Sequence, residues 1–152
     1  MYIIDVKNNK KCAVKVKQIE EQDYKTLTKS RYYFNWKTEK ENDVYKLVLD
    51  ENILGLMSLV NDKGDKRIEI SLLAVSKENR GKNKRFDRIT GILIAFACRT
   101  AIKYYGIEAC VSLVPKTRLK QYYIDQYQMT DAGWQVFLTG QSMLNILKKY
   151  EL

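Results

Sequence analysis

The sequence contains no histidine, a single proline, seven glycines and three cysteines among its 152 residues. Without histidine, Ser-His and Cys-His nucleophilic catalysis are excluded, and no imidazole is available for a zinc site. Cys12, Cys98 and Cys110 are odd in number and widely spaced, which argues against a disulfide framework and suits a reducing compartment. They read as small core residues, because no activating base lies near them in sequence. With one proline, no Ser-rich linker and no internal repeat, nothing divides the chain, and a single domain over residues 1–152 is expected. Long apolar runs are also missing. The longest, 89–97, is interrupted by Thr90 and Gly91 and followed by Arg99, far short of the ~20 residues of a membrane span. The opening MYIIDVKNNKK places its charges after its apolar residues, the reverse of a signal peptide. A soluble cytoplasmic protein without membrane contact is expected.

What the chain does have is charge: 27 Lys+Arg against 18 Asp+Glu, a net +9, alongside 45% hydrophobic residues. The apolar content excludes a disordered or low-complexity chain. The positive balance suits polyanionic partners, nucleic acid or a phosphate-bearing cofactor, although scattered surface lysines account for much of it.

Hydrophobic periodicity orders the chain. Residues 12–17 (CAVKVK) alternate like a short strand, and 19–34 carry a polar helical pattern with Tyr24, Leu27 and Tyr32 or Tyr33 inward. Residues 44–49 and 53–60 form a hairpin around Asp50, Glu51 and Asn52, and the turn 61–66 (NDKGDK) leads into a third strand, 67–75 (RIEISLLAV). From Ile89 the period becomes helical, with Ile92, Leu93, Phe96, Ala97, Thr100, Ala101 and Tyr104 on one stripe ending at Gly106. Residues 108–114 read as a buried parallel strand, 116–127 as a helix, 134–139 as a last strand and 142–150 as a last amphipathic helix. Strand–helix–strand from 67 to 114 is a parallel βαβ crossover on a sheet otherwise built from hairpins, so the class is α/β with a mixed sheet.

The join between strand 67–75 and helix 89–105 is strongly basic. Between residues 77 and 88, Lys77, Arg80, Lys82, Lys84, Arg85 and Arg88 face only Glu78 and Asp87. A basic loop containing Gly81 and opening a helix offers free N–H groups and the positive end of a helix dipole to a phosphate. It fits neither the GxxxxGK[ST] nor the GxGxxG pattern. A plain solvated connection is the competing reading.

The segment Ile70-Ser71-Leu72-Leu73-Ala74-Val75-Ser76-Lys77-Glu78-Asn79-Arg80-Gly81-Lys82 resembles the acetyl-coenzyme A motif of the GNAT N-acetyltransferase superfamily. In that motif an apolar strand ending in Ala-Val precedes an (Arg/Gln)-x-x-Gly-x-(Gly/Ala) loop and a helix. Tyr122-Tyr123-Ile124-Asp125-Gln126-Tyr127-Gln128-Met129, followed by Gly133, is similar to the family's Tyr-Glu-Lys-x-Gly-Phe-x-x-x-Gly segment. Asn83 and Arg85 stand where the family has small residues, Gln128 replaces a common Gly, and the chain ends in a helix where many relatives have a strand. The resemblance covers nearly the whole chain. It implies a mixed, mostly antiparallel central sheet (α+β layered) with one parallel crossover and helices on both faces.

The resemblance further implies acetyl-CoA as co-substrate and no metal. The pantetheine arm would lie along Leu73, Ala74 and Val75, and the pyrophosphate in Arg80, Gly81, Lys82, Asn83, Lys84 and Arg85. Gly91 would serve either close approach to that cofactor or contact between helix and sheet. An amine acceptor with a pKa of ~10 must lose a proton, and Glu69 stands where histone-type members carry their general base. Tyr123 or Tyr122 matches the family's helix tyrosine, which protonates the departing thiolate. Tyr32, Tyr33, Phe34 and Trp36 lie where the family often lines its acceptor pocket, core packing being the competing reading for at least half of these rings. The implied function is transfer of an acetyl group to a primary amine of a small molecule or protein. Three alternatives stay open: a basic nucleic-acid-binding protein, an acetyltransferase acting on an RNA-linked amine, and an inactive CoA-binding protein of the same fold. A homodimer and weak nucleic-acid binding through the basic surface are also left open.

Overall fold

The computed structural model describes residues 1–152. In chain order it begins with β1 (Tyr2–Asp5), β2 (Lys10–Ala13), β3 (Lys15–Gln18), a 3-10 turn (Glu21–Thr26), α1 (Lys29–Tyr32) and a second 3-10 turn (Trp36–Glu39). Then come β4 (Asp43–Leu49), β5 (Asn52–Asp62), β6 (Arg67–Val75), a 3-10 turn (Lys77–Asn79), β7 (Phe86–Asp87) and α2 (Ile89–Tyr105). β8 (Cys110–Leu113), α3 (Lys120–Tyr127), β9 (Thr130–Ala132), β10 (Gln135–Thr139) and α4 (Gly140–Lys149) complete the chain.

One sheet has the hydrogen-bonded order β3-β4-β5-β6-β8-β10-β9 and a second the order β2-β1-β7. β6 and β8 run parallel, in register from Arg67↔Cys110 to Ile70↔Leu113, with α2 as their crossover. β3 with β4, β8 with β10 and β9 with β10 are antiparallel. The class is α/β with a mixed, mostly antiparallel sheet, as expected. Helix α2 begins at Ile89 and ends at Tyr105, where its apolar period starts and stops. No helix is long and apolar enough to cross a membrane.

The chain forms two compact units, Met1–Ser58 with Leu72–Leu93, and Leu59–Ser71 with Ile94–Leu152. In the first, Tyr24, Leu27, Tyr32, Trp36, Val44, Val48, Ile53, Leu56 and Ala74 form a buried cluster. Within the aromatic run 32–36, Tyr32 and Trp36 belong to this core: the Tyr32 hydroxyl donates to the Ile53 carbonyl at 2.8 Å, and the Trp36 indole N–H to the Tyr32 carbonyl at 3.1 Å. Gly55 admits the start of α2, since a Cβ there would lie 2.8 Å from Ile89 Cγ2 and 3.1 Å from Leu93 Cδ1.

Two expectations fail in this unit. Residues 12–17 are not one strand: Val14 is buried and its N–H donates to the Met1 carbonyl at 3.2 Å, so β2 pairs with β1 while β3 pairs with β4. Residues 19–34 are not one helix. Glu20, through a capping box with Asp23, and Thr28, accepting from the Arg31 N–H, each start a separate turn, and Tyr33 at φ +71° stops the second. Tyr24, Leu27 and Tyr32 point inward as expected, and Tyr33 is the half-buried one.

In the second unit Ile94 and Ala95 of α2 are as fully buried as Ala97, Cys98 and Ala101, so the helix is covered on more sides than a single stripe implies. Burial pushes the Cys98 thiol up to about 12, which makes it an inert core group. Strand β8 is buried, and α3 and α4 both lie against β10. Helix α3 starts at Lys120, after a 3-10 turn at Thr117–Leu119, and ends on Gln128 at φ +57°. Gln128 occupies this left-handed position, which favours glycine, at some cost in strain.

Candidate functional site

In the first unit the basic join is a held loop. The 3-10 turn after β6 ends at Asn79, whose side chain is buried: its Nδ2 donates to Ser76 Oγ at 2.9 Å and its Oδ1 accepts the Phe86 N–H at 2.9 Å. The Arg85 N–H donates to the Glu78 carbonyl at 3.2 Å. Residues 80–85 therefore leave and re-enter the fold at one closed neck. Gly81 takes φ +76°, and nothing lies within 4 Å of where its Cβ would be. The N–H groups of Gly81, Lys82 and Asn83 donate to no acceptor in the chain. Arg80, Gly81, Lys82, Asn83 and Arg85 are exposed, and Lys84 is half-buried and paired with Asp87 at 2.9 Å.

Arg80 and Asn83, with Ser30, Arg31, Lys77 and Glu78, line an open pocket of ≈ 550 Å³. Arg80 is placed there by stacking, its guanidinium carbon 4.1 Å from the Tyr33 ring centroid. Arg31 donates to Glu78 at 2.6 Å. Desolvation raises the Glu78 pKa, but the Arg31 bond, with backbone and Ser76 bonds, outweighs it and leaves the carboxyl below its usual range. The pocket is thus basic, with one carboxylate neutralised by Arg31.

Leu73 is half-buried and Ala74 and Val75 are buried at the end of β6. The register with β8 stops at Ile70, so Leu72–Val75 have no partner residue in that strand. An extended polar arm adds most readily to such a length of strand.

The second unit holds the candidate proton-transfer groups. Glu69 is half-buried on β6, opposite Ser112 in the register with β8, while Ile68 and Ile70 on the other face are buried. Two residues earlier on the same face, Arg67 donates to Ser112 Oγ at 2.7 Å and to Asp62 at 2.9 Å. Glu69 lies within electrostatic range of that guanidinium, whose own hydrogen bond goes to Asp62.

Tyr122, Tyr123 and Tyr127 form a ring cluster on α3, with centroids 5.8 to 6.0 Å apart. Tyr127 is buried, and burial together with a hydrogen bond to Tyr122 raises its pKa. Tyr123 is half-buried and Tyr122 is 49% exposed.

Sequence reasoning missed three features of the first unit: the Asn79 anchor, the Tyr33–Arg80 stack, and the pairing of β1 with β7 beside the loop. Asn79 stood in the quoted motif, and a buried Asn within a polar loop carries no periodic signal. The other two join residues 47 and about 80 positions apart, beyond local pattern.

The fold is that of GNAT acetyltransferases. An acetyltransferase from Bacillus anthracis assigned to streptothricin, in complex with acetyl coenzyme A, superposes with TM-score 0.65 at 12% identity, over 85% of this chain and 98% of that one. An IAA acetyltransferase from Bacillus cereus superposes with TM-score 0.56 at 18% identity, over 76% of this chain and 74% of that one. A KacTA–DNA complex gives TM-score 0.62 at 14% identity, over 90% of this chain and 99% of that one. No protein-family model and no curated protein sequence matches the chain.

Proposed function

We propose that residues 1–152 act as one acetyl-CoA-dependent N-acetyltransferase domain. The observation that carries this reading is the loop 80–85: closed at its neck by Asn79, left-handed at Gly81, and presenting the N–H groups of Gly81, Lys82 and Asn83 amid Arg80, Lys82 and Arg85. Such a nest of amides and cations fits a diphosphate. Beside it in sequence, the open edge of Leu73, Ala74 and Val75 fits the pantetheine arm. The co-substrate supplies an activated thioester carbonyl.

Glu69 takes the proton from the attacking amine, directly or through a water, as the C–N bond forms. Tyr123 or Tyr122 gives a proton to the thiolate as the C–S bond breaks. The acceptor is a primary amine. A second reading is favoured by the net +9 charge and by the likeness to the KacTA–DNA complex: the basic surface binds nucleic acid weakly, and the acceptor amine is carried on RNA.

Thermal unfolding with acetyl-CoA, CoA and ATP side by side tests the reading. At a hundredfold excess over Kd, acetyl-CoA and CoA should add about 2.7 kcal/mol to stability, a rise in Tm of roughly 5–10 °C. No rise with either overturns it. Salt-sensitive oligonucleotide binding without a CoA effect would instead mark a nucleic-acid-binding protein. CoA binding without turnover on an amine panel would mark an inactive relative.

A further inference from the structure

Beside the loop stands a second sheet that the proposed chemistry does not use. Strand β1 pairs with β2 over Tyr2↔Ala13 to Asp5↔Lys10, and its other edge pairs with β7 at Ile4↔Asp87 and Asp5↔Phe86. The Val6 N–H carries this pairing one step further, donating to the Arg85 carbonyl at 2.9 Å. The β1–β2 hairpin therefore grips the chain where the basic loop ends. Ile3, fully buried, anchors it, and Asp5 ties its turn by accepting from Lys7 N–H, Asn8 N–H and Asn8 Nδ2.

Arg88 joins the hairpin to the mouth of α2. Its Nε donates to the Tyr2 carbonyl at 3.2 Å, and its guanidinium carbon sits 4.1 Å from the Tyr2 ring centroid. Its backbone lies at φ +86°, a conformation that L residues avoid unless their surroundings impose it. That conformation turns the Arg88 N–H toward Asp87 Oδ1 at 2.8 Å, while its carbonyl accepts the first bond of α2, from Ile92 N–H, at 3.0 Å. The end of the loop and the start of the helix are thus both set by contacts with β1.

We propose that the β1–β2 hairpin is a clamp that pre-orders loop 80–85 for a diphosphate, with Tyr2 and Arg88 as positioning residues. The inference rests on the reading of that loop as the diphosphate site. A loop ordered only on ligand arrival would charge its ordering entropy against affinity, about 1–2 kcal/mol for each residue's backbone. The hairpin removes part of that cost beforehand, without touching the ligand itself.

The test compares wild-type protein with Tyr2→Leu, which keeps the backbone pairing and the carbonyl but loses the aromatic face, with Arg88→Gln, and with Tyr2→Phe as the conservative control. Calorimetric titration gives the Kd for CoA, amide hydrogen exchange at Arg85 and Phe86 reports the order of the loop neck, and thermal melts report global stability. Tyr2→Leu and Arg88→Gln should bind CoA about tenfold more weakly, the equivalent of one loop residue ordering only on binding. Exchange of the bonded Arg85 and Phe86 amides should quicken in both, and Tyr2→Phe should match wild type. Unchanged CoA affinity in a folded Tyr2→Leu overturns the clamp, as does a lowered Tm with neither affinity nor loop exchange altered. If Arg88→Gln fails to fold, Tyr2→Leu decides. Absence of CoA binding by the wild-type protein is a separate result: it removes the diphosphate reading, and the clamp with it.

Discussion

The Asn79 carboxamide closes the basic loop by accepting the Phe86 backbone N–H at 2.9 Å while donating to Ser76 Oγ at 2.9 Å. Asn79 and Ser76 are 5% and 0% exposed, so neither bond is readily replaced by water. Asn79→Ala would leave the Phe86 N–H buried and unmatched and take from Ser76 Oγ the donor it accepts, the Ser76 hydroxyl keeping its bond to Glu78. The expected loss is about 1–3 kcal/mol, or several degrees in Tm, with CoA binding weakened as the neck opens. Thermal melts with and without CoA check both parts, and a variant as stable and as CoA-responsive as wild type would contradict them.

Gly55 marks where α2 meets β5. Gly55→Ala would place a methyl 2.8 Å from Ile89 Cγ2 and 3.1 Å from Leu93 Cδ1, with the Ala74 carbonyl 3.5 Å away. Overpacking of this kind costs about 1–3 kcal/mol. In denaturant the midpoint should fall at constant m-value.

Where local pattern and tertiary structure agree, the sequence was readable. The RIEISLLAV run became β6 at the residues expected, and the switch to helical period at Ile89 marked the start of α2. The turn at Asp50 adopts φ +56° where the hairpin needs it. Reading failed where short polar segments take their shape from distant partners. Tyr2–Asp5 has no long period of its own and becomes a strand by pairing with residues 10–13 and 86–87. The stretch 19–34 looks helical because Tyr24, Leu27 and Tyr32 are spaced to reach one core, which two short turns achieve as well as one helix. For the candidate site, the loop's charge and glycine were visible in sequence. The neck that shapes it was not, because it depends on Asn79 reaching across seven residues.

Glu69 is a half-buried carboxylate beside Arg67. As general base it should account for about 10²–10⁴-fold in rate. Glu69→Gln should lower kcat by that order on an amine acceptor and leave the KM for acetyl-CoA near wild type. An unaltered kcat would show that the proton goes elsewhere.

Stability should fall in acid for a stated reason. The Arg67 hydrogen bond lowers the Asp62 pKa from the ordinary 3.8, and the Lys120 bond does the same for Asp131. Glu78 is also held below its ordinary 4.5, burial being outweighed by Arg31 and the other bonds to its carboxylate. A carboxyl with a folded pKa below its unfolded value binds protons more readily when unfolded. Its stabilisation is therefore complete above the unfolded pKa and is lost as pH drops through the folded one. Melts from pH 7 to pH 2 should show a steady Tm down to about 4.5 and a decline below it. Arg31→Gln should shrink the Glu78 share of that decline.

In the proposed function the amides of Gly81, Lys82 and Asn83 meet a diphosphate. Amide NMR shifts followed during a CoA titration address them individually. These three signals should move most, saturating together with the amides of Leu73 to Val75. Saturable CoA binding that leaves Gly81, Lys82 and Asn83 unmoved, with the perturbed amides elsewhere in the chain, would contradict that function.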